Sequence, residues 1–158
     1  SDPYAEPDQL FRGQPNYQFK EVFPKGGWNQ EIPFTGRGAA FGDVDSDGDV
    51  DILVFNCGGP AKLLINDCSS PGSSVSIRLL DRRGRDAEGA LLEAKIGDQK
   101  IHRLASRHYS YCVSNSPFLH VGLGSEIQLS EVKILWPDGT VSEFADIPAG
   151  SRIQIAQP

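Results

Sequence analysis

Short β-prone segments, each ended by turn residues, are the feature that most restricts how this sequence can fold. In the second half of the chain the apolar side chains of Val75, Ile77 and Leu79 alternate with polar ones, which is typical of a strand with one buried face. Seventeen Gly and eleven Pro supply the turns between such segments. Because each strand must bury its apolar face, the pattern predicts an all-β fold with an antiparallel β-sandwich. The strands predicted for the sandwich are 75–79, 92–96, 100–104, 118–121, 127–136, 141–144 and 152–155.

A segment rich in serine, glycine and proline divides the chain into two predicted parts. Residues 67–74, DCSSPGSS, offer turn conformations and little apolar surface, so we predict a domain boundary within them. The sandwich then occupies residues 71–158, and a smaller β unit around an acidic loop occupies residues 17–70. Strands are predicted in this unit at 37–41, 50–55 and 62–65. Residues 1–16, which contain three prolines, are predicted to be an extended N-terminal arm.

Charge and composition exclude several functional classes. Twenty-one acidic and fifteen basic residues give a net charge of -6, which opposes binding to nucleic acid or to an anionic membrane surface. The apolar runs, such as residues 52–55, are far shorter than the ~20 residues of a membrane-spanning helix, so no membrane insertion is expected. The chain has no Gly-x-Ser-x-Gly motif, no carboxylate pair outside the acidic loop and no cofactor motif, and His102, His108 and His120 follow no catalytic spacing. We therefore predict that the protein is not an enzyme.

The acidic loop DVDSDGDVD carries a carboxylate at every second position. Its members are Asp43, Asp45, Asp47, Asp49 and Asp51. Five like charges in so short a segment repel one another, and a hard cation would offset that repulsion. Oxygen ligands favour Ca2+ or Mg2+ over zinc or copper, and Gly48 allows the tight turn that a calcium loop requires. We predict a Ca2+ site, with Mg2+ less favoured, formed by all these side chains except that of Asp49, which would offer its backbone carbonyl.

The spacing begins like an EF-hand loop but does not end like one. The twelfth position is Val54, which lies inside a predicted strand where an EF-hand would have a Glu. Asp51 must therefore supply the late carboxylate.

Two family resemblances cover most of residues 34–158. Phe41-Gly42, the acidic loop and the segment GGPA at 58–61 resemble one FG-GAP or VCBS-type calcium-binding repeat, a β-hairpin unit with a calcium loop. From about residue 74 the chain resembles an ASPIC/UnbV domain. The residues that carry this second resemblance are Glu88-Gly89-Ala90, the stretch 106–116, HVGLG at 120–124 and WPDG at 136–139.

The combination is similar to the C-terminal part of cartilage acidic protein 1 and related secreted bacterial proteins. It implies a secreted or extracellular module that serves adhesion, protein interaction or structural assembly, with a protein or glycan ligand that the sequence does not name. FG-GAP repeats build β-propellers, and a propeller needs ~4 to 8 blades, whereas this chain supplies at most one. An alternative is therefore a homo-oligomer or filament in which strand addition completes the sheet, with the N-terminal arm as the donor.

Two further sets of residues give hypotheses about ligands and covalent links. A carbohydrate-binding module is the second alternative, with Trp28, Tyr109, Tyr111 and Trp136 as a stacking platform for sugars. The three cysteines, Cys57, Cys68 and Cys112, form no C-x-x-C pair, so a zinc or redox site is not predicted. The secreted location that the resemblance implies favours one disulfide and one free thiol, and the sequence leaves the pairing open.

Overall fold

The computed structural model describes residues 3–22, 33–67 and 72–158. These residues contain thirteen strands, one short 3-10 turn at Pro15–Tyr17 and no α-helix, so the predicted all-β fold is confirmed. The first five strands are β1 (Phe11–Gly13), β2 (Phe19–Glu21), β3 (Gly36–Gly42), β4 (Asp51–Asn56) and β5 (Lys62–Leu64). The other eight are β6 (Ser73–Leu80), β7 (Leu91–Ile96), β8 (Gln99–Leu104), β9 (Leu119–Gly124), β10 (Gln128–Leu135), β11 (Val141–Phe144), β12 (Ile147–Pro148) and β13 (Arg152–Ala156).

Two sheets enclose one apolar core in the second half of the chain. The larger sheet has the strand order β11-β10-β7-β8, with β12 also paired to β10, and the smaller has the order β13-β6-β9. The alternation in β6 places Val75, Ile77 and Leu79 in this core. They pack with residues of the larger sheet such as Leu92 and Ile134, so each sheet buries its apolar face against the other.

One strand pair departs from the predicted antiparallel sandwich. Strand β13 runs parallel to β6, in a register that places Arg152 beside Ser76 and Ala156 beside Leu80. A parallel pair needs a long crossover, and the whole stretch from β7 to β12 supplies it. Sequence alternation gives the inward and outward faces of a strand but not the direction of its partner, which is why the pattern missed this pairing.

The acidic loop joins two strands of a separate three-stranded antiparallel sheet. Its order is β3-β4-β5, as the strand pattern predicted. The register pairs Gly42, the last residue of β3, with Asp51, the first residue of β4. The two ends of the acidic loop are therefore adjacent, and the carboxylates that follow Gly42 lie close to Asp51.

The N-terminal segment forms a β-hairpin and also pairs with a residue that lies further along the chain. Strand β1 pairs with β2 across the turn at Pro15–Tyr17, where Asn16 and Tyr17 have φ values of 68° and 60°. Before this hairpin, Glu6 and Phe34 exchange backbone hydrogen bonds of 3.2 and 3.3 Å. The predicted extended arm thus contains a paired strand.

Hydrogen bonds from one buried side chain join β3 to the second half of the chain. Asn115 Oδ1 accepts the backbone N–H of Phe41 at 2.9 Å, and Asn115 Nδ2 donates to the carbonyl of Arg107 at 3.1 Å. The backbone N–H of Ser116 donates to the carbonyl of Phe41 at 3.0 Å. A Cβ at Gly42 would lie 2.9 Å from Ser116 Cβ, so the close approach of the two segments requires glycine there.

Candidate metal centre and adjoining cleft

Three carboxylates of the acidic loop lie close together, because the two ends of the loop are adjacent. One oxygen from each of Asp43, Asp45 and Asp51 lies within 4.8 Å of the other two. We call these residues the Asp triad. Carboxylates held this close repel one another, and a cation among them removes the repulsion. The Asp triad could therefore hold a metal ion, and its oxygen ligands suit a hard cation such as Ca2+ or Mg2+.

Asp51 is held in a fixed orientation by the backbone around it. Its side chain is among the most buried in the described chain, at 1% exposure. Asp51 Oδ2 accepts the backbone N–H of Val44 at 2.7 Å, and Oδ1 accepts that of Asn66 at 2.9 Å. Charge-assisted bonds of this kind are among the strongest in proteins, and each carboxylate oxygen retains a lone pair for a further partner.

Asp43 presents the unsatisfied oxygen of the site. Its Oδ2 accepts a hydrogen bond from Arg152 Nη1 at 2.9 Å, and its side chain is 9% exposed. Its Oδ1 is buried and has no hydrogen-bond partner. Buried polar atoms are almost always paired in native proteins. A cation bound by the Asp triad would satisfy this oxygen.

The remaining two acidic side chains lie outside the Asp triad. Asp47 Oδ1 accepts the backbone N–H of Asp49 at 2.8 Å, which stabilises the turn between them. Gly48 has φ 97°, a conformation that favours glycine and that agrees with its predicted role in a tight turn. Of the five residues predicted as a metal site, the structure brings three together and leaves Asp47 and Asp49 on the turn.

A cleft of about 240 Å³ adjoins the Asp triad. One wall is the outer face of the sheet β13-β6-β9, where the register aligns Arg152, Ser76 and His120 in one row across the three strands. Asp43 and Phe41, from the acidic loop and β3, line the opposite side. The cleft therefore lies between the two halves of the chain.

The imidazole of His120 is the second unsatisfied group at this place. Its Nδ1 is buried and has no hydrogen-bond partner. Burial lowers the pKa of His120 below its ordinary value of 6.5, and the negative charges of Asp43 and Asp49 partly oppose that change. The side chain is consequently neutral at pH 7. Spacing along the chain gave His120 no functional role, because its neighbours in space come from strands far apart in the sequence. The polar, outward position of Ser76 on β6 was the one sequence signal of this row.

The predicted sugar platform is not assembled. Trp136 is a core residue with 1% exposure, and its Nε1 donates to Ser142 Oγ at 2.8 Å, so its assignment to an exposed platform was wrong. Tyr109 and Tyr111 are exposed, and the ring of Tyr109 packs against Phe41 with centroids 6.3 Å apart. Trp28 lies outside the described residues.

Two of the three cysteines lie within the described residues. Cys57 and Cys112 are free thiols at exposed positions, so no disulfide joins these two. Cys68 lies outside the described residues.

The fold and the Asp triad together describe a β-sandwich module with an adjoining acidic loop that could hold a cation. Residues 81–158 match the family model described as ASPIC and UnbV. The match supports the resemblance to an ASPIC/UnbV domain for this part of the chain, which includes β7 to β13. A search of curated proteins finds no match. None of the described residues belongs to a helix long and apolar enough to cross a membrane.

Proposed function

We propose that the chain is an extracellular, calcium-stabilised β module that serves adhesion, protein interaction or structural assembly and is not an enzyme. The observation that carries the calcium proposal is the Asp triad, together with the buried and unpartnered Oδ1 of Asp43. Ca2+ is preferred to Mg2+ because it accepts six to eight oxygen ligands in flexible geometry, whereas Mg2+ retains most of its water.

The proposed ion would fix the two ends of the acidic loop, beside the contact of this loop with the sandwich. Asp43 follows β3, Asp51 begins β4, and Arg152 of β13 contacts Asp43 from the sandwich. An ion that binds only the folded loop stabilises it by RT ln(1 + [L]/Kd), which is about 2.7 kcal/mol at a hundredfold excess over Kd. Extracellular calcium would thus stabilise the loop and its contact with the ASPIC/UnbV sandwich.

We also propose that residues 17–70 form one FG-GAP-type repeat. Support comes from the antiparallel order β3-β4-β5 and from the position of the acidic loop, which connects the first two of these strands.

Thermal unfolding in calcium and in chelator tests the metal proposal. Asp45→Ala removes one member of the Asp triad at an exposed position, and Asp98→Ala is the matched control, since Asp98 lies in an exposed turn far along the chain. We expect calcium to raise the Tm of the unmodified chain and of the control, and Asp45→Ala to lose most of that rise. If Asp45→Ala lowered the Tm by the same amount in calcium and in chelator, relative to the unmodified chain, the proposal would be contradicted.

A second candidate function is that of a self-assembling subunit. Within the described residues β5 pairs with β4 alone, so one edge of the sheet is open. Leu63 on the edge strand β5 and Phe55 on the neighbouring strand β4 are large apolar residues left exposed. An open edge with apolar neighbours is a template for strand addition between copies.

Light scattering with negative-stain imaging, in calcium and in chelator, tests self-assembly. We expect oligomers or filaments that Leu63→Lys disperses, because a charge on an edge strand opposes pairing with another copy. Asp98→Lys, at an exposed turn position, is the control for added positive charge. A monomer at high protein concentration in both solutions would exclude this candidate.

A further inference from the structure

We propose that the cleft between the acidic loop and the sandwich binds one sugar residue that carries a carboxylate, such as a uronic acid. This inference goes beyond the module's proposed structural role, and it does not depend on which ion the Asp triad binds. It rests on the size of the cleft, on the imidazole and the arginine in its lining, and on its aromatic wall.

The size of the cleft limits the ligand to a small one. Its volume of about 240 Å³ lies below the roughly 300–1,000 Å³ of pockets that enclose drug-sized molecules. A nucleotide or a large cofactor would therefore extend well outside it. One six-membered sugar ring is of the size that the cleft can take.

His120 identifies the kind of polar group that the ligand must offer. A metal ion would satisfy Asp43 Oδ1, but it leaves His120 Nδ1, the other buried and unpartnered atom at the cleft, without a partner. The nitrogen of a neutral imidazole is either a donor or an acceptor, according to the tautomer. A hydroxyl group can pair with both forms, because it donates and accepts. A polyhydroxylated ligand thus suits an imidazole in the lining of the cleft.

Arg103 provides the charge that would recognise a carboxylate. It lines the cleft, and its guanidinium donates to the backbone carbonyl of His102 at 3.0 Å. Within the described residues it forms no ion pair, whereas the other arginine of the cleft, Arg152, is already paired with Asp43. A guanidinium binds a carboxylate through two parallel hydrogen bonds. A phosphate dianion fits less well, because the carboxylate of Asp43 also lines the cleft and would repel the second negative charge.

An aromatic wall completes the site. The rings of Phe41 and Tyr109 both line the cleft and pack against each other. Aromatic faces cover the apolar C–H face of a sugar ring, while the hydroxyl groups at its edge remain available to polar side chains. The serine hydroxyls of Ser76 and Ser106 are further polar groups of the lining.

Isothermal titration of the full chain with D-glucuronate, D-glucose and a short oligouronate tests the proposal. We expect glucuronate to bind at least about tenfold more tightly than glucose, because loss of one charge-assisted hydrogen-bond pair has about that effect on affinity. Arg103→Ala should weaken glucuronate binding by at least about the same factor. Arg83→Ala, which removes an exposed arginine of another turn, should leave it unchanged.

Comparison of the titrated ligands distinguishes a site for a free acidic sugar from a site for one unit of a polysaccharide. Binding of free glucuronate supports a site for a single acidic sugar, and binding of the oligouronate alone supports a site for one unit of an acidic polysaccharide. Absence of binding by both, equal affinity for glucose and glucuronate, or unchanged binding by Arg103→Ala would overturn the inference. The Tm of each variant, measured in calcium and in chelator, shows whether it folds and tests the metal proposal separately.

Discussion

Trp136 shows how a single side chain can combine two kinds of stabilisation. Its indole lies in the apolar core with Leu92 and Ile134, and its one polar atom is satisfied by Ser142 Oγ at 2.8 Å. A buried tryptophan needs such a partner, because an unpaired N–H in the core is costly. The turn at residues 137–139 places Ser142 within reach, since β11 returns antiparallel to β10 directly after it.

We therefore predict that Trp136→Ala destabilises the fold by about 3–5 kcal/mol, through the cavity it leaves and the lost hydrogen bond. Chemical denaturation measures this change. Tyr111→Ala, at an exposed aromatic position, is the matched control and should stay within about 0.5 kcal/mol of the unmodified chain. A small effect at Trp136 would mean that its ring is not part of the core.

At the scale of elements, the charged turn between β6 and β7 gives a prediction about pH. The side chain of Arg85 and the backbone N–H groups of Arg83 and Arg85 hydrogen-bond the carboxylate of Asp81. These bonds lower the pKa of Asp81 from 3.8 to about 2, with the Arg85 side chain as the main cause. Because the ionised form is favoured in the folded state, its stabilising effect is complete above the unfolded pKa and is lost as pH falls through about 2.

We predict that Asp81→Asn makes stability less sensitive to acid between about pH 4 and about pH 2. Thermal unfolding at several pH values across this range measures the effect, and an NMR titration of the Asp81 carboxyl should give a midpoint near 2. Asp98→Asn serves as the control. An NMR midpoint near 3.8 would show that the hydrogen bonds of the turn do not persist in solution.

The elements also show what the sequence can determine. The strands of the sandwich follow the alternation of apolar residues, so the predicted segment 92–96 and the observed β7 differ by one residue. The alternation of Tyr17, Phe19 and Glu21 also predicts a strand from Tyr17, whereas the observed β2 begins at Phe19. The prediction is wrong at its start because Asn16 and Tyr17 form a left-handed turn that propensity does not indicate. The row of Arg152, Ser76 and His120 depends on the register between three distant strands, which local sequence does not encode.

The acidic loop also shows, within one segment, which features the sequence determines and which it does not. The spacing identified Asp43, Asp45 and Asp51 correctly as neighbours, because strand pairing brings the ends of a short loop together. It did not distinguish them from Asp47, whose carboxylate is directed to a backbone N–H of the turn. That distinction depends on the φ and ψ angles inside the loop, and Gly48 was the one residue that indicated them.

On the scale of the whole molecule, Asn115 is one residue that joins the two halves of the chain. Asn115 is 5% exposed and bonds to backbone groups of both Phe41 and Arg107. Its amide therefore has partners in β3 and in the ASPIC/UnbV region. An apolar substitution would leave the N–H of Phe41 without this acceptor, at a cost typical of a buried unsatisfied group.

We predict that Asn115→Ala lowers the free energy of unfolding by about 1–3 kcal/mol. Ser114→Ala, at the exposed neighbouring position, should have little effect. Denaturant titration measures both. Limited proteolysis of the loop at residues 43–51 should become faster in Asn115→Ala than in the control, because the loop depends on β3 for its position. Unchanged stability would show that Asn115 does not join the two halves.

The contact between Asp43 and Arg152 has a consequence for the order of folding. These residues are 109 positions apart, and Arg152 belongs to the strand that pairs in parallel with β6. Contacts that close such long stretches of chain carry a large entropic cost in the folding transition state, so chains dominated by them fold in milliseconds to seconds. We therefore expect the acidic loop to gain its partner on the sandwich late in folding, together with the pairing of β13.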